Sequence, residues 1–458
     1  MDLQTTCGAL AQAAAGTLVR GVPGSPAGRI AIDSRTLRPG EVFLALKGPR
    51  FDAHDHLAGR PARESSGWIV RRGASLPKER PAHVLEVADT LLALSDIAAA
   101  HRSRFHIPVA AVTGSNGKTT VKEMLRSALS QEGPVCANAG NFNNEVGLPL
   151  SVLELGSDHR FGVFEMGASR AGDIAALCRV ARPSIGVLTN IGSAHLEFFG
   201  TLEGTLKAKA ELVDALPADA PVVLNLDDLR LRSLLPRLGA RAVTFGTTEG
   251  ADVRLECSPG RLRLGFSGRG SLPRGVLEPR LPLMSRVHGL NAAAAAAAAA
   301  AMGLSKDSIC EGLSRAQSAP LRFQRRDHSS GAWLLVDAYN ANPDSMRASV
   351  ETFLEAAPPG ERLLVLGDMK ELGSDSPDLH RELGRWLAGL DLEAVFLAGD
   401  LCSEVSRGLR EAGAAFEVRH ARSPMDLLPE LRTRMKRGTS VLFKASRAVR
   451  LEELAAAL

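Results

Sequence analysis

The order of hydrophobic and polar positions along the chain predicts alternating strands and helices. Short continuous apolar runs end in Gly, Asn or Asp, and several are followed by segments with helical periodicity. Such runs are typical of buried parallel strands, whose carboxyl ends carry functional residues. In the middle of the chain the runs are IPVAAVTG, FGVFEMG, SIGVLTN and APVVLNLDD. The pattern therefore predicts an α/β fold built on parallel sheets.

Three domains are predicted, because 458 residues are too many for one hydrophobic core. Short apolar runs separated by Pro and Gly predict a small N-terminal α/β domain over residues 1–84. A central parallel-sheet domain is predicted over residues 85–317, with a helix at Thr90–His101 near its start. The runs WLLVDAYN, RLLVLGD, AVFLAGD and SVLFKAS predict a Rossmann-like C-terminal α/β domain over residues 318–458.

Two segments of the central domain have patterns of their own. Residues 246–282 are rich in Arg, Gly and Pro and alternate in VRLECS and RLRLGF, which predicts a β-hairpin insertion. The run Ala292–Met302 predicts a closely packed helix, because Ala has the highest helix propensity. This longest apolar run is too short to span a bilayer, so we expect no stable membrane insertion.

Composition narrows the class of function. Hydrophobic residues make up 45% of the chain and charged residues 23%, as in ordinary globular proteins. The net charge of +4 does not predict a nucleic-acid-binding protein, although it suits small anionic substrates. The six cysteines form no CxxC pair and the N-terminal segment lacks the basic region of a signal peptide, so we expect a cytoplasmic protein.

The strongest motif is TGSNGKTT at positions 113–120, between an apolar run and a helical pattern. This context is that of a phosphate loop, whose backbone N–H groups and helix N-terminus hold phosphates. Lys118 would neutralise the β- and γ-phosphate oxygens, and the Thr119 hydroxyl would bind Mg²⁺. A Gly-rich turn without function is the alternative. The predicted nucleotide-binding residues are Gly114, Ser115, Asn116, Gly117, Lys118, Thr119 and Thr120.

Other polar residues have an ordinary structural interpretation when each is taken alone. A strand-end Glu is usually solvated, a single His is usually structural, and an Asn before a helix is usually an N-cap. Asn-rich segments often only form turns, and a helix Lys beside an acid is usually exposed. The residues concerned are Glu165, His195, Asn141, Asn144, Lys209 and Asn291.

The loop also has a form that points to one family. The general phosphate-loop motif has Gly where this chain has Val112, and the short form T-G-x-N-G-K-T is characteristic of the Mur ligase family. The chain resembles this family in all three predicted domains. The segments PLRFQ (320–324), DAYNANPDSM (337–346), GDMKELG (367–373) and KASR (444–447) resemble the branch that adds D-alanyl-D-alanine. DSRT (33–36) and KGPRFDAHD (47–55) resemble that branch's uridine-nucleotide segments.

The resemblance implies an ATP-dependent amide-bond ligase of peptidoglycan precursor synthesis. The N-terminal domain would bind the UDP-substrate, the central phosphate-loop ATPase-like domain would bind ATP, and the C-terminal domain would bind the incoming dipeptide. ATP would phosphorylate the terminal carboxylate of UDP-N-acetylmuramoyl-tripeptide, and the amine of D-alanyl-D-alanine would attack the acyl phosphate. ATP, two Mg²⁺ ions and a monomeric enzyme are implied.

The resemblance also implies a role for individual residues. The implied metal ligands are Thr119, Glu165, His195 and Lys209, with Lys209 carbamylated and Lys207 as the alternative register. Because Mg²⁺ prefers oxygen, His195 would act partly by orientation. The implied catalytic residues are Lys118, Lys209, His195 and Arg322, and Asn291 and Asp337 would bind the nucleotide. The implied substrate-binding residues are Ser34, Arg35, Asn141, Asn144, Tyr339, Asn340 and Asn342.

Two departures and several alternatives stay open. The family's His-Asn pair before Asn291 aligns to Val287 and His288, and Ala445 replaces a Gly. Two other superfamily members are alternatives, the diaminopimelate-adding ligase and folylpolyglutamate synthase. The motif YNANPDSM disfavours both, and the lack of a D-N-P-R string disfavours the diaminopimelate-adding ligase. A phosphate-loop ATPase whose outer domains bind a protein partner is the alternative from another class. The sequence does not distinguish diaminopimelate from lysine at the third residue of the tripeptide.

Overall fold

The structure is a computed structural model of the protein and describes residues 5–48, 51–193, 196–258 and 260–458. Three large sheets follow one another along this part of the chain, and each is flanked by helices. The predicted α/β fold class with three successive units is confirmed. Within the described residues, no helix combines the length and the apolar character that crossing a bilayer requires.

The first sheet has five strands in the order β2-β7-β6-β5-β4, and all neighbours are parallel except β2 and β7. The short strands β1 and β3 form a separate antiparallel pair. β7 ends at Val87, so it crosses the domain boundary predicted at residue 84. The strands are β1 (Thr5–Thr6), β2 (Thr17–Arg20), β3 (Pro26–Ala27), β4 (Ile30–Ala31), β5 (Val42–Leu44), β6 (Gly67–Arg71) and β7 (His83–Val87), and the helices are α1 (Cys7–Ala13) and α2 (Arg60–Arg63).

The second sheet has nine strands in the order β16-β15-β14-β13-β12-β11-β8-β10-β9, and the strands from β14 to β9 are parallel. The strands are β8 (Val109–Thr113), β9 (Val135–Ala137), β10 (Phe161–Glu165), β11 (Ile185–Leu188), β12 (Val222–Asn225), β13 (Ala242–Gly246), β14 (Val253–Ser258), β15 (Arg261–Ser267) and β16 (Arg274–Leu277). The helices are α3 (Thr90–Arg102), α4 (Lys118–Leu129), α5 (Gly147–Val152), α6 (Asp173–Ala181), α7 (Leu196–Phe199), α8 (Leu202–Ala215), α9 (Leu229–Arg232), α10 (Leu235–Leu238), α11 (Arg286–Ala301) and α12 (Lys306–Arg315).

The predicted hairpin and the predicted alanine helix are both present in this unit. β15 pairs antiparallel with both β14 and β16, and β14 also pairs with β13, so the hairpin extends the central sheet. The alanines of α11 are almost fully buried, because side chains this small allow the helix to pack closely against α4 and the sheet. The N-cap interpretation of Asn291 is wrong. Ser285 caps α11 by accepting a hydrogen bond from the His288 backbone, so Asn291 lies inside the helix.

The third sheet has six strands in the order β17-β18-β22-β19-β20-β21, and only β17 is antiparallel to its neighbour. Apolar side chains cover both faces of this sheet, as a doubly wound sheet requires. The strands are β17 (Gln324–Asp327), β18 (Trp333–Asp337), β19 (Glu361–Gly367), β20 (Ala394–Ala398), β21 (Glu417–Ala421) and β22 (Thr439–Lys444), and the helices are α13 (Pro343–Ala356), α14 (Ser376–Leu387), α15 (Cys402–Glu411), α16 (Leu428–Arg434) and α17 (Leu451–Ala457).

Candidate active site

The segment between β8 and α4 is folded as a phosphate loop. Gly114 and Gly117 have φ angles of +146° and +82°, which glycine adopts without strain. A Cβ on Gly114 would lie 1.9 Å from the Thr189 hydroxyl oxygen, so no larger residue fits there. The Asn116 N–H donates to the Asn190 side-chain oxygen at 2.9 Å, which ties the loop to the end of β11. The first N–H groups of α4 have no partner within the helix, so they are available to an anion.

Lys118 lies in this loop, and Lys209 is the lysine close to it. Its ammonium donates to the carbonyl oxygens of Gly114 at 2.9 Å and Ser115 at 3.1 Å. Burial lowers the pKa of Lys118, the nearby carboxylate of Glu165 opposes this shift, and Arg322 adds to it. The loop therefore holds a cation where phosphate oxygens would lie.

Lys209 is buried, so its interpretation as an exposed helix lysine is wrong. Only 2% of the residue is exposed, whereas Lys207 is exposed, which favours Lys209 in the predicted register. Burial and then the positive charge of Lys118 lower the pKa of Lys209 to about 7. The Lys209 ammonium lies 5.9 Å from the centre of the Phe199 ring. A neutral amine is therefore accessible near neutral pH, and this form is the one that reacts with CO₂.

Glu165 is also buried, so its interpretation as a solvated carboxylate is wrong. One carboxylate oxygen accepts a hydrogen bond from the Thr119 hydroxyl at 2.7 Å, and the other accepts one from the Asn143 amide at 2.7 Å. The side chain of Asn138 exchanges two hydrogen bonds of 2.9 Å with the Glu165 backbone. Thr119 and Glu165 thus bring together two oxygens of the kind that Mg²⁺ prefers.

The other predicted metal ligand is His195. His195 lies outside the described residues. Among the described residues, no three His, Cys, Asp or Glu side chains form a metal cluster. The described members of the predicted set are one carboxylate, one hydroxyl and one lysine amine. Asn143 and Asn138 were missed by the sequence reasoning. The Asn-rich segment signalled the loop, but the pattern could not tell which Asn reaches Glu165.

The third sheet contributes the opposite wall of the site. The Arg322 guanidinium lies 4.4 Å from the centre of the Tyr339 ring, a cation–π distance. Asp337 and Lys444 form a buried ion pair with a distance of 2.8 Å, and Lys444 also donates to the Asn340 carbonyl oxygen at 2.6 Å. Burial lowers the pKa of Lys444, while Asp337 opposes the shift. The carboxylate predicted to bind the nucleotide is therefore already paired with a lysine.

A cavity of about 420 Å³ lies between the phosphate loop and the third sheet. Asn291 lies on its wall, and the Asn291 side-chain oxygen would be 2.4 Å from a Cβ on Gly117. The predicted residues that line the cavity are Ser115, Asn116, Gly117, Lys118, Thr119, Thr120, Asn291, Arg322, Asp337, Asn340 and Asn342. Glu165 and Lys209 lie behind this wall, next to Thr119 and Lys118 respectively.

The residues predicted to bind the uridine nucleotide lie near a second cavity of about 600 Å³. Asp33 and Phe142 lie on its wall, so the 33–36 segment and the Asn-rich loop face each other. The exposed Arg35 side chain forms two hydrogen bonds with Asp33 and lowers the pKa of that carboxyl to about 2. The predicted substrate-binding residues of these two segments, Ser34, Arg35, Asn141 and Asn144, are not on the wall. The Asn144 side-chain oxygen accepts hydrogen bonds from the Val146 and Gly147 N–H groups, so it is engaged by the backbone at the start of α5.

Two family models match the chain. The Mur ligase middle domain matches residues 112–299, and the Mur ligase glutamate ligase domain matches residues 321–447. Together they cover the phosphate loop, Glu165, Lys209 and the whole third-sheet wall of the cavity.

Full-length relatives and solved structures are also similar. The chain is 33% identical over 427 residues to the UDP-N-acetylmuramoyl-tripeptide–D-alanyl-D-alanine ligase of Bacillus subtilis, covering 93% of this chain and 92% of the relative. A crystal structure of MurF from Acinetobacter baumannii has a TM-score of 0.88 and 33% identity, over 99% of this chain and 98% of that one. MurF ligase of Thermotoga maritima in complex with ADP has a TM-score of 0.81 and 33% identity, over 94% and 96% of the two chains. The chain belongs to the Mur ligase family.

Proposed function

We propose that this chain uses ATP to join D-alanyl-D-alanine to UDP-N-acetylmuramoyl-tripeptide, in the synthesis of peptidoglycan precursors. The observation that carries the proposal is one cavity in which the phosphate loop, with Thr119 hydrogen-bonded to Glu165, faces Arg322 and Asn340 of the third-sheet unit. The full-length relatives named as this ligase support the choice of substrates. The 1–84 unit would bind the UDP-substrate, the 85–317 unit ATP, and the 318–458 unit the dipeptide.

The reaction would proceed in two steps. An oxygen of the tripeptide carboxylate attacks the γ-phosphorus of ATP, the bond to the β-phosphate oxygen breaks, and ADP and an acyl phosphate form. The dipeptide amine, after losing a proton, attacks the acyl carbon and inorganic phosphate leaves. Lys118 and Arg322 neutralise the charge on the transferring group, because phosphoryl transfer depends mainly on positioning and charge stabilisation. Tyr339 and Asn340 are assigned to the dipeptide.

The residues present suit the magnesium ions that the family implies. Thr119 and Glu165 would hold one Mg²⁺ through hard oxygen ligands, and it would supply charge neutralisation at the phosphates. Lys209 and His195 are assigned to a second Mg²⁺. Because the Lys209 amine is buried with a pKa of about 7, we propose that it reacts with CO₂ to give a carbamate, which replaces a cation by an anionic oxygen ligand.

Phosphate release tests the main proposal. We expect release only when ATP, the UDP-linked tripeptide and D-alanyl-D-alanine are all present, and the assay should be run with the diaminopimelate tripeptide and the lysine tripeptide. Rapid ATP hydrolysis that ignores both substrates would instead favour an ATPase with a protein partner.

Carbon-13 NMR of protein supplied with labelled bicarbonate tests the carbamate. A carbamate signal should be present in the Lys207→Ala variant, a matched exposed control, and absent in Lys209→Ala. A signal that persists in Lys209→Ala would contradict the assignment, as would its absence from the active wild-type enzyme.

A further inference from the structure

The first turn of α13 is fixed by its own hydrogen bonds. Asn342 is the N-cap, and its side-chain oxygen accepts a hydrogen bond from the Ser345 N–H at 2.8 Å. The Ser345 hydroxyl accepts one from the Asn342 N–H at 2.9 Å, which completes a capping box. Pro343 follows the cap and restricts the backbone further. This turn therefore presents its remaining polar atoms in a defined direction.

Those polar atoms contact the central sheet unit. The Asn342 amide donates to the side-chain oxygen of Asn116, in the phosphate loop, at 2.9 Å. One carboxylate oxygen of Asp344 accepts two hydrogen bonds of 2.7 Å from Ser193, one from its backbone N–H and one from its hydroxyl. Both polar atoms of the Asn342 side chain thus have protein partners, although the resemblance assigned this residue to the dipeptide.

The two loops that α13 contacts are joined to each other. The Ser115 hydroxyl donates to the Gly192 carbonyl oxygen at 3.1 Å and accepts from the Gly192 N–H at 2.8 Å. The approach of α13 is also close, because a Cβ on Gly192 would lie 2.5 Å from the Asp344 carboxylate oxygen. The first turn of α13 therefore docks on one interlocked surface made of the phosphate loop and residues 190–193.

We propose that Asn342 and Asp344 are positioning residues, which dock the third sheet on the phosphate loop in the closed, reactive arrangement. This inference rests on the proposed function, because the docking is what brings Arg322 to the phosphates. The two hydrogen bonds from Ser193 to Asp344 are charge-assisted, which strengthens this contact. Coupling between sites is reciprocal, so docking on the loop strengthens ATP binding and ATP binding strengthens docking.

Variants of Asp344 and Ser193 test the contact. Asp344→Ala should lower kcat and weaken binding of a non-hydrolysable ATP analogue, each roughly tenfold or more, with little change in KM for the dipeptide. Asp344→Asn keeps an oxygen that accepts from Ser193 but loses the charge, so it should recover part of the loss. Asp378, in the first turn of α14 in the same sheet unit, is the matched control, because its carboxylate lies 3.6 Å from Arg381 of its own helix. Asp378→Ala should behave as wild type.

A steric variant gives a second, independent test. Gly192→Ala should impair the enzyme, because the added Cβ collides with the Asp344 carboxylate. In the double variant Gly192→Ala with Asp344→Ala the collision is gone, so its defect should be no larger than that of Asp344→Ala alone. Strictly additive defects would overturn the proposal.

Measuring the binding of the ATP analogue tests the docking role independently of the proposed ligase activity. If wild-type protein fails to ligate the dipeptide, the function is wrong, and the effect of Asp344→Ala on analogue binding still decides the docking role. If Asp344→Ala and Asn342→Ala raise the dipeptide KM while analogue affinity stays at the wild-type value, these residues bind the dipeptide and the positioning role is refuted. Small-angle scattering with the analogue should show less compaction for Asp344→Ala than for Asp378→Ala.

Discussion

His288 should make the junction between the central and third sheets sensitive to acid. The residue is 2% exposed, its ring packs edge-on against Phe323 with ring centres 4.7 Å apart, and it is hydrogen-bonded to Ser285. Burial lowers the pKa of His288 from 6.5 to about 4, and the negative charge of Asp337 only partly opposes this. Protonation would place a cation in an apolar contact between two sheet units.

The size of the effect follows from the difference between the two pKa values. In the unfolded chain the imidazole binds a proton below about pH 6.5, whereas in the folded protein it does so only below about pH 4. The unfolded state therefore binds more protons in this window, and the free energy of unfolding decreases as the pH falls through it. Between about pH 7.5 and about pH 5 this single group should remove about 2 kcal/mol of stability.

Denaturant unfolding of three proteins at these two pH values measures the effect. Wild type and His106→Gln, which changes an exposed histidine, should both lose about 2 kcal/mol more than His288→Gln on acidification. Any packing defect of His288→Gln is present at both pH values, so it cancels in this difference. If His288→Gln loses as much stability on acidification as wild type, His288 is not buried in its neutral form and the reasoning is refuted.

Three further predictions concern the phosphate loop and the alanine helix. Lys118→Ala should lower kcat at least about a hundredfold with an unchanged circular dichroism spectrum, because a transition-state cation is lost, and near-normal turnover would remove Lys118 from the mechanism. Gly114→Ala should abolish binding of an ATP analogue in calorimetry, because its Cβ would lie 1.9 Å from the Thr189 hydroxyl, whereas Gly24→Ala, with open space around it, should bind normally. Ala297→Leu should lower thermal stability by about 1–3 kcal/mol through overpacking, and Ala100→Leu on the exposed side of α3 should not. Equal stability of the two leucine variants would contradict the close packing of α11.

The sequence predicted the elements whose apolar runs are continuous. The predicted helix at Thr90–His101 is confirmed as α3, and the eight apolar runs of the two larger domains are confirmed as strands. β21 was missed, because Glu417–Ala421 lies at a sheet edge and its polar side chains interrupt any apolar run. The start of α11 was misplaced, because the alanines gave the only clear helical signal and Ser285 was not recognised as the cap.

The candidate site was predicted in its motifs and not in its contacts. The phosphate loop was predicted from its local sequence motif, and the roles of Glu165 and Lys209 were predicted from the family resemblance. The contact between Asp344 and Ser193 joins residues 151 positions apart, and no local pattern encodes such a pair. Asn143 illustrates the same limit within a single loop, because three similar side chains stand within four residues and only the folded backbone selects one.

The hydrogen bond between Thr119 and Glu165 has a consequence for the order in which ligands enter. The Thr119 hydroxyl already donates a hydrogen bond to the Glu165 carboxylate. A cation that binds both oxygens must therefore first break this hydrogen bond and rotate the hydroxyl proton away. Removing water from Mg²⁺ costs much free energy, because the ion holds its hydration shell tightly. Two protein oxygens offset only a small part of that cost. Phosphate oxygens would supply the missing ligands. The magnesium ion proposed for this site should therefore enter as its complex with the nucleotide, and the free ion should bind the empty protein only weakly.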